Sequence, residues 1–352
     1  MTSAAEPGAM KPGTSALYRR LAAAPLGFGG APLGNLFRAM PDDVAEDLVR
    51  HAYANGSRYF DTAPHYGHGR SEKRLGAGLA DAPRDSFLLS TKVGRILEAR
   101  ADAPRDQHGY VDTAAYGQRY DYTGEGFLRS LDDSRERLGR GRVDIVYVHD
   151  IDVETHGETH ARRLADTLQS GLPALAQLKA RGTIAGFGLG VNHVDICLDV
   201  LRHADLDVIL LAGRYTLADQ SALPELLSEC QRRGTAIVLG GPFNSGILAS
   251  GSRPAGGSPP YFDYGPAPAH VVARVAAIER ICAQFDVPLA AAALQFPRAH
   301  PAIACVIPGV RTLAEFDQNL RLASHPIPPA FWRALREHDL VAREAPLPGD
   351  AS

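Results

Sequence analysis

Eight short apolar runs, separated by helix-like segments, punctuate this 352-residue chain, and that alternation constrains its fold more than any other feature. The runs lie at Pro25–Gly29, Arg58–Asp61, Phe87–Lys92, Val143–His149, Ile184–Gly188, Val208–Ala212, Ala236–Leu239 and Ala304–Ile307. Strands that alternate with helices predict a parallel sheet, because parallel neighbours need a long crossover. Eight such units predict closure into an α/β (β/α)8 barrel rather than an open doubly wound sheet. No linker divides the chain. The reading is a single barrel domain over 14–344, with frayed tails at 1–13 and 345–352.

Two connecting helices show the pattern. Asp43 with Glu46 predicts a capping box, followed by a stripe of Val44, Leu48, Val49 and Ala52 and a stop at Gly56. A second helix is predicted over Gly171–Arg181, with Leu172, Leu175 and Leu178 facing inward and Gly182 after its last turn. Two connections are long for a compact domain: 94–126, carrying Tyr110, Tyr116, Tyr120 and Tyr122, and the Pro/Gly-rich 250–268. Both follow a strand. The first is expected to form a substrate wall and the second a mobile flap over the same face of the barrel.

The strand ends of a barrel converge on one face, where active sites of this architecture sit. The second run ends at Asp61 and opens the segment Asp-Thr-Ala-Pro-His-Tyr-Gly at 61–67; the third ends at Lys92 and the fourth at His149. Side chains alternate along a strand, so Leu88, Ser90 and Lys92 share one face, as do Ile145, Tyr147 and His149. The terminal polar groups therefore extend interior rows. A phenol titrates near 10 and is a poor base at neutral pH. A nearby ammonium can change that. Lys92 is expected to lower the Tyr66 phenol, Asp61 to hold the ammonium, and His149 to direct a substrate oxygen. None of the four is a strong nucleophile, so hydride transfer with a bound cofactor suits the set better than acyl transfer.

Composition narrows the partners. A net charge of −3 without a basic block argues against nucleic acid. No run of eighteen apolar residues suggests a membrane span, and no secretory leader is evident, so a cytoplasmic location is expected. Cys197, Cys230, Cys282 and Cys305 are far apart and read as buried free thiols. Among the 37 basic residues only Lys11, Lys73, Lys92 and Lys179 are lysine, so a lysine at a strand end stands out. Two motif-like stretches fail on spacing. Gly186–Gly190 needs a further glycine where Val191 stands to bind a dinucleotide in the Rossmann manner, and His156–His160 lacks the glutamate after its first histidine that a zinc protease requires. His65 and His68 have no third ligand in their loop. No metal is implied, and His65 is read as lining a substrate pocket beside Tyr66.

D-T-A-P-x-Y-G, S-T-K, the V-H-D strand end, G-V-N and I-P-G-x-R, in this order between Pro25 and Leu322, resemble the aldo-keto reductase superfamily. That resemblance implies a nicotinamide-dependent barrel with Asp61, Tyr66, Lys92 and His149 as its catalytic tetrad. It also implies that Asn192 binds the carboxamide, that Phe243 and Ser245 in Pro242–Ile247 contact the pyrophosphate, and that Gly309, Arg311, Gln318 and Asn319 meet the adenosine end. The chain departs from the superfamily in places. Gly240 or Gly241 stands where many members stack a tyrosine on the nicotinamide, and Leu210 or Leu211 where a glutamine is common. Glu315 near a 2′-phosphate would repel it, which favours NAD, although Arg311 leaves NADP open. Segments 66–72, 210–217 and 243–248 are most similar to members that oxidise aldoses at C1, with pyridoxal dehydrogenases close behind. The small-molecule substrate is therefore expected to be a sugar. The alternatives are pyridoxal oxidation, aldehyde reduction, or a cofactor-sensing subunit with little turnover.

Overall fold

Alternating side-chain direction sorts the apolar residues of each strand between two cores. The computed structural model describes residues 15–24 and 26–350; Pro25, the expected tail at 1–13 and the last two residues of the expected C-terminal tail lie outside them. Eight parallel strands follow one another around a barrel: β1 Phe28–Gly29, β2 Tyr59–Asp61, β3 Leu88–Val93, β4 Ile145–His149, β5 Gly186–Val191, β6 Val208–Ala212, β7 Ala236–Gly240 and β8 Ile303–Ile307. The ring closes where Gly27 N–H donates to Val306 O at 3.0 Å and Gly29 N–H to Pro308 O at 3.2 Å. Tyr59, Leu88, Ile145, Tyr147, Val208, Leu210 and Val238 fill the interior, with Leu21 of the N-terminal helix Ala16–Ala22 packed against them. Their strand neighbours Phe60, Leu89, Val146, Ile209 and Ile237 face outward into the helix layer. Because Tyr59, Leu88, Ile145 and Tyr147 point inward, Asp61, Lys92 and His149 do so at the same end. The four cysteines are free and buried.

Five expectations change in detail. β5 starts two residues later than Ile184 and runs to Val191, because tertiary contacts override the turn-like composition of its glycines. The helix Asp42–Ala54 begins after Pro41 without a side-chain cap, so the capping box of Asp43 and Glu46 does not form. Its buried face is Ala45, Leu48, Val49 and Ala52, while Val44 is 44% exposed. Position 45 lies three, four and seven residues before those three, at the centre of the stripe, and Val44 sits at its edge. The helix Leu172–Ala180 is entered through a π-turn at Thr167–Gly171. The segment read as a C-terminal tail buries Ala345 and Leu347, and Arg336 donates to Ala345 O at 2.7 Å.

Neither long connection is formless. Within 94–126, Arg95–Ala99 pairs antiparallel with Tyr116–Tyr120. Within 250–268, Tyr261–Phe262 pairs with Gly265–Pro266, and the turn between them is pinned: Asp263 accepts both Oδ contacts of Arg214 Nη2, at 3.0 and 2.9 Å. The expected free flap is a strapped hairpin. Among the described residues no helix is long and apolar enough to cross a membrane.

Candidate active site

Three adjacent strands bring the predicted residues together. Lys92 Nζ donates to Asp61 Oδ2 at 2.6 Å and to Thr62 O at 3.0 Å, and Ser90 Oγ donates to the other Asp61 oxygen at 2.6 Å. Lysine and aspartate are 1% and 2% exposed, so the ion pair is dry. Room for the lysine stem comes from the next strand but one: a Cβ on Gly190 would lie 3.1 Å from Lys92 Cε and 3.2 Å from Tyr147 Cβ. Lys92 Nζ sits 4.5 Å from the centroid of the Tyr66 ring, and the His149 ring stands edge-on to that ring at 5.9 Å.

Electrostatics at Tyr66 differ from the expectation. Burial pushes its phenol well above the usual tyrosine range, and Asp61 pushes the same way. Burial likewise raises the Asp61 carboxyl against the pull of Lys92. His149 is driven well below the usual histidine range by burial and then by Arg95 and Lys92, so it is neutral. The site at rest holds a protonated phenol beside a neutral imidazole.

The hairpin 95–120 supplies the wall. Tyr110 stacks on Tyr66 with ring centroids 6.1 Å apart, and Tyr122 Oη donates to the backbone oxygen of His149 at 2.5 Å. His65 contacts Gln118 through Nδ1 and lies 5.7 Å from the His149 ring and 6.3 Å from that of Tyr66. His68 is turned away, its Nδ1 held by Tyr116 O at 2.8 Å. Arg95 and Asp150 were not anticipated. Arg95 Nη2 donates to Asp150 Oδ2 at 2.6 Å, and both are largely buried. They are 55 residues apart, and only the barrel joins them. A charged residue directly after the His149 strand end was the one available hint.

A cavity of about 590 Å³ runs from Asp61 and Tyr66 along the strand ends and reaches Asn192, Phe243, Ser245, Gly309, Arg311, Gln318 and Asn319, all seven residues expected to hold a cofactor. Gly213, Gly240 and Gly241 also line it, and a Cβ on Gly213 would lie 3.0 Å from Asn244 Nδ2 and one on Gly240 3.3 Å from Leu210 Cδ2. The backbone passes from φ −97° at Phe243 to positive φ at Asn244, Ser245 and Gly246, and such a right-to-left switch makes a concavity of the kind that receives anions. These features fit a dinucleotide. Asn244 was missed by the sequence reading; it holds the turn by donating to Gly213 O at 2.9 Å. The Ser245 hydroxyl accepts from Tyr264 N–H of the strapped hairpin at 2.9 Å. Arg311 spends its guanidinium on Leu36 O and Arg38 O at 2.9 and 2.7 Å, and Glu315 accepts from Arg311 N–H at 2.7 Å.

The Aldo/keto reductase family model matches residues 25–340. The chain belongs to this family. As an aldo/keto reductase it is an oxidoreductase with a nicotinamide cofactor and a small-molecule substrate. It is 43% identical over 328 residues to pyridoxal 4-dehydrogenase of Microbacterium luteolum, covering 90% of this chain and 94% of that one. Similarity to D-threo-aldose 1-dehydrogenase of a Pseudomonas species is 40% over 328 residues, covering 91% and 95%. The holo form of an aldo-keto reductase from Bacillus halodurans shares the barrel, with a TM-score of 0.71 at 22% identity over 97% of this chain and 98% of that one.

Proposed function

We propose that this aldo/keto reductase oxidises the C1 hydroxyl of a cyclic aldose to a lactone, with NAD preferred over NADP. The reading rests on one observation: Lys92 and His149 cluster with Asp61 and Tyr66, which line one end of the long cavity, and Arg95, Asp150, Gln118 and His65 lie close by as hydrogen-bonding groups for a polyhydroxylated ring. A bound nicotinamide would supply the hydride acceptor, held by Asn192 at the ring and by Phe243, Ser245, Gly309, Arg311, Gln318 and Asn319 along the dinucleotide.

The carbinol oxygen lies between Tyr66 and neutral His149, which donates a hydrogen bond and fixes its direction. Tyr66 takes the hydroxyl proton as the C1–H bond gives up its hydride, and the C1–O bond becomes the lactone carbonyl. Oxidation needs the phenolate, which burial disfavours and Arg95 favours; the ammonium of Lys92, anchored by Asp61 and 4.5 Å from the centroid of the Tyr66 ring, is the nearest cation to the ring and would favour it too. The arrangement at rest is ready to donate a proton, so the reverse reduction is open to the same groups.

Cofactor choice follows from Glu315. Its carboxylate stands at the adenosine end while Arg311 is committed to backbone oxygens, so a ribose hydroxyl finds an acceptor and a phosphate finds repulsion. Glu315→Gln should raise the ratio of kcat/KM with NADP to that with NAD; an unchanged ratio would remove this argument.

A second reading is oxidation of pyridoxal. It draws on the relative of that name and on the flat Tyr66–Tyr110 stack, which suits an aromatic ring. Aldoses and pyridoxal both carry an aldehyde that closes on a hydroxyl of the same molecule, so the bond chemistry is shared. Initial rates with L-fucose, L-galactose, D-arabinose and pyridoxal, each with NAD and NADP, decide between them. No reduced cofactor from any of the three sugars would sink the aldose reading, and tight cofactor binding without turnover of any carbonyl or carbinol would point to a sensor.

A further inference from the structure

Asp150 follows His149 directly and adopts φ 41°, a left-handed backbone that aspartate and asparagine tolerate better than most residues. Its backbone is held on both sides: N–H donates to Gly190 O at 3.0 Å, and O accepts from Tyr122 Oη at 3.1 Å and contacts His156 Nε2 at 2.9 Å. Such strain, held from several directions, is typical of functional positions. The conformation swings the carboxylate back over the site. Oδ2 receives Arg95 at 2.6 Å and lies 3.4 Å from His149 Nε2, while among the described residues Oδ1 has only the Asn192 amide at 3.5 Å. A carboxylate can accept about four hydrogen bonds, so Oδ1 is an under-used acceptor in a largely buried place.

We propose that Asp150 is a specificity-determining residue whose Oδ1 accepts a hydrogen bond from the substrate hydroxyl on the carbon next to the one oxidised. This rests on the aldose reading and deepens it. The reacting oxygen would sit against His149 Nε2, and the Asp150 carboxylate lies beside that nitrogen, its Oδ2 at 3.4 Å and already taken by Arg95, which leaves Oδ1 as the oxygen open to a hydroxyl on the neighbouring carbon. Burial pushes the Asp150 carboxyl up, and Arg95, which orients it, opposes that push. Simple aldehydes lack the adjacent hydroxyl, as does the cyclic form of pyridoxal.

The test compares kcat/KM for whichever of L-fucose, L-galactose and D-arabinose is turned over fastest with kcat/KM for its 2-deoxy counterpart, in wild type and in Asp150→Asn. A hydrogen bond to a charged acceptor predicts a wild-type preference for the 2-hydroxy sugar on the order of 10- to 100-fold, collapsing to within a few-fold in the variant. A purely structural Asp150 would slow both sugars alike and leave the ratio unchanged, which overturns the inference. The wild-type ratio is a second check that needs no variant: equal use of both sugars also overturns it. No turnover of any aldose by wild type removes the underlying reading, and the inference with it, a result distinct from an unchanged ratio.

Discussion

Removing both members of the Lys92–Asp61 pair should cost less than the sum of removing each alone. Lys92→Met keeps the methylene volume beside Gly190 but leaves the Asp61 carboxylate, 2% exposed, with Ser90 Oγ as its remaining side-chain donor. Breaking a buried pair this way costs about 3–5 kcal/mol. Burial already raises the Asp61 carboxyl, and loss of the ammonium raises it further, so the variant can relieve the strain by taking up a proton. Each pH unit between solution and that raised value is worth about 1.4 kcal/mol. The protonated form is the one the fold tolerates, so the penalty shrinks as pH falls from 7 towards 5. Asp61→Asn should be costly for the converse reason, an ammonium left among apolar walls with Thr62 O. The double variant removes both charges and should lose less than the sum of the singles by about 2 kcal/mol or more. Urea unfolding of the four proteins at pH 7 and pH 5 measures the cycle. Singles that lose under about 1 kcal/mol, or a double variant equal to their sum, would refute a dry, mutually dependent pair.

Two further outcomes can be checked. Tyr66→Phe should lower kcat for sugar oxidation about 10²- to 10⁴-fold while the dissociation constant for NAD, read by protein fluorescence, moves little; because burial raises this phenol, wild-type oxidation should still be accelerating at about pH 9. His300 is 5% exposed and burial pushes it down to about 4, so the folded state binds fewer protons than the unfolded chain between that value and about 6.5. Its contribution is present above pH ~6.5 and lost as pH falls through the window, up to about 3 kcal/mol, so His300→Gln should flatten the loss of stability seen by denaturant titration from pH 7 to pH 4.

The barrel was legible because its strands are short apolar runs and their ends break that run with Asp61, Lys92 and His149. Polarity at the end of an interior row is a local signal, and the seven residues that the resemblance implied for a cofactor line one cavity with Asp61 and Tyr66. The Arg95–Asp150 pair was not legible, since the hairpin carrying Arg95 has no clean alternation and its partner strand begins only at Tyr116. Nor was the sign of the shift at Tyr66. Sequence shows that an ammonium is near; it does not show how much water has left, and desolvation outweighs the charge. Val44 and the missing capping box were errors of rotation and phase, where a neighbouring residue served the core better.

The glycines of β5, set aside as a failed phosphate-binding motif, explain why a cation can live at the barrel's centre. At position 190 what matters is a hydrogen where any other residue would carry carbon, and the hollow so made is the berth of the lysine's hydrocarbon tail. A methyl there would press on that tail and force it to give by a few tenths of an ångström, moving the charge without touching it. In this molecule an unfilled place is as discriminating as a functional group.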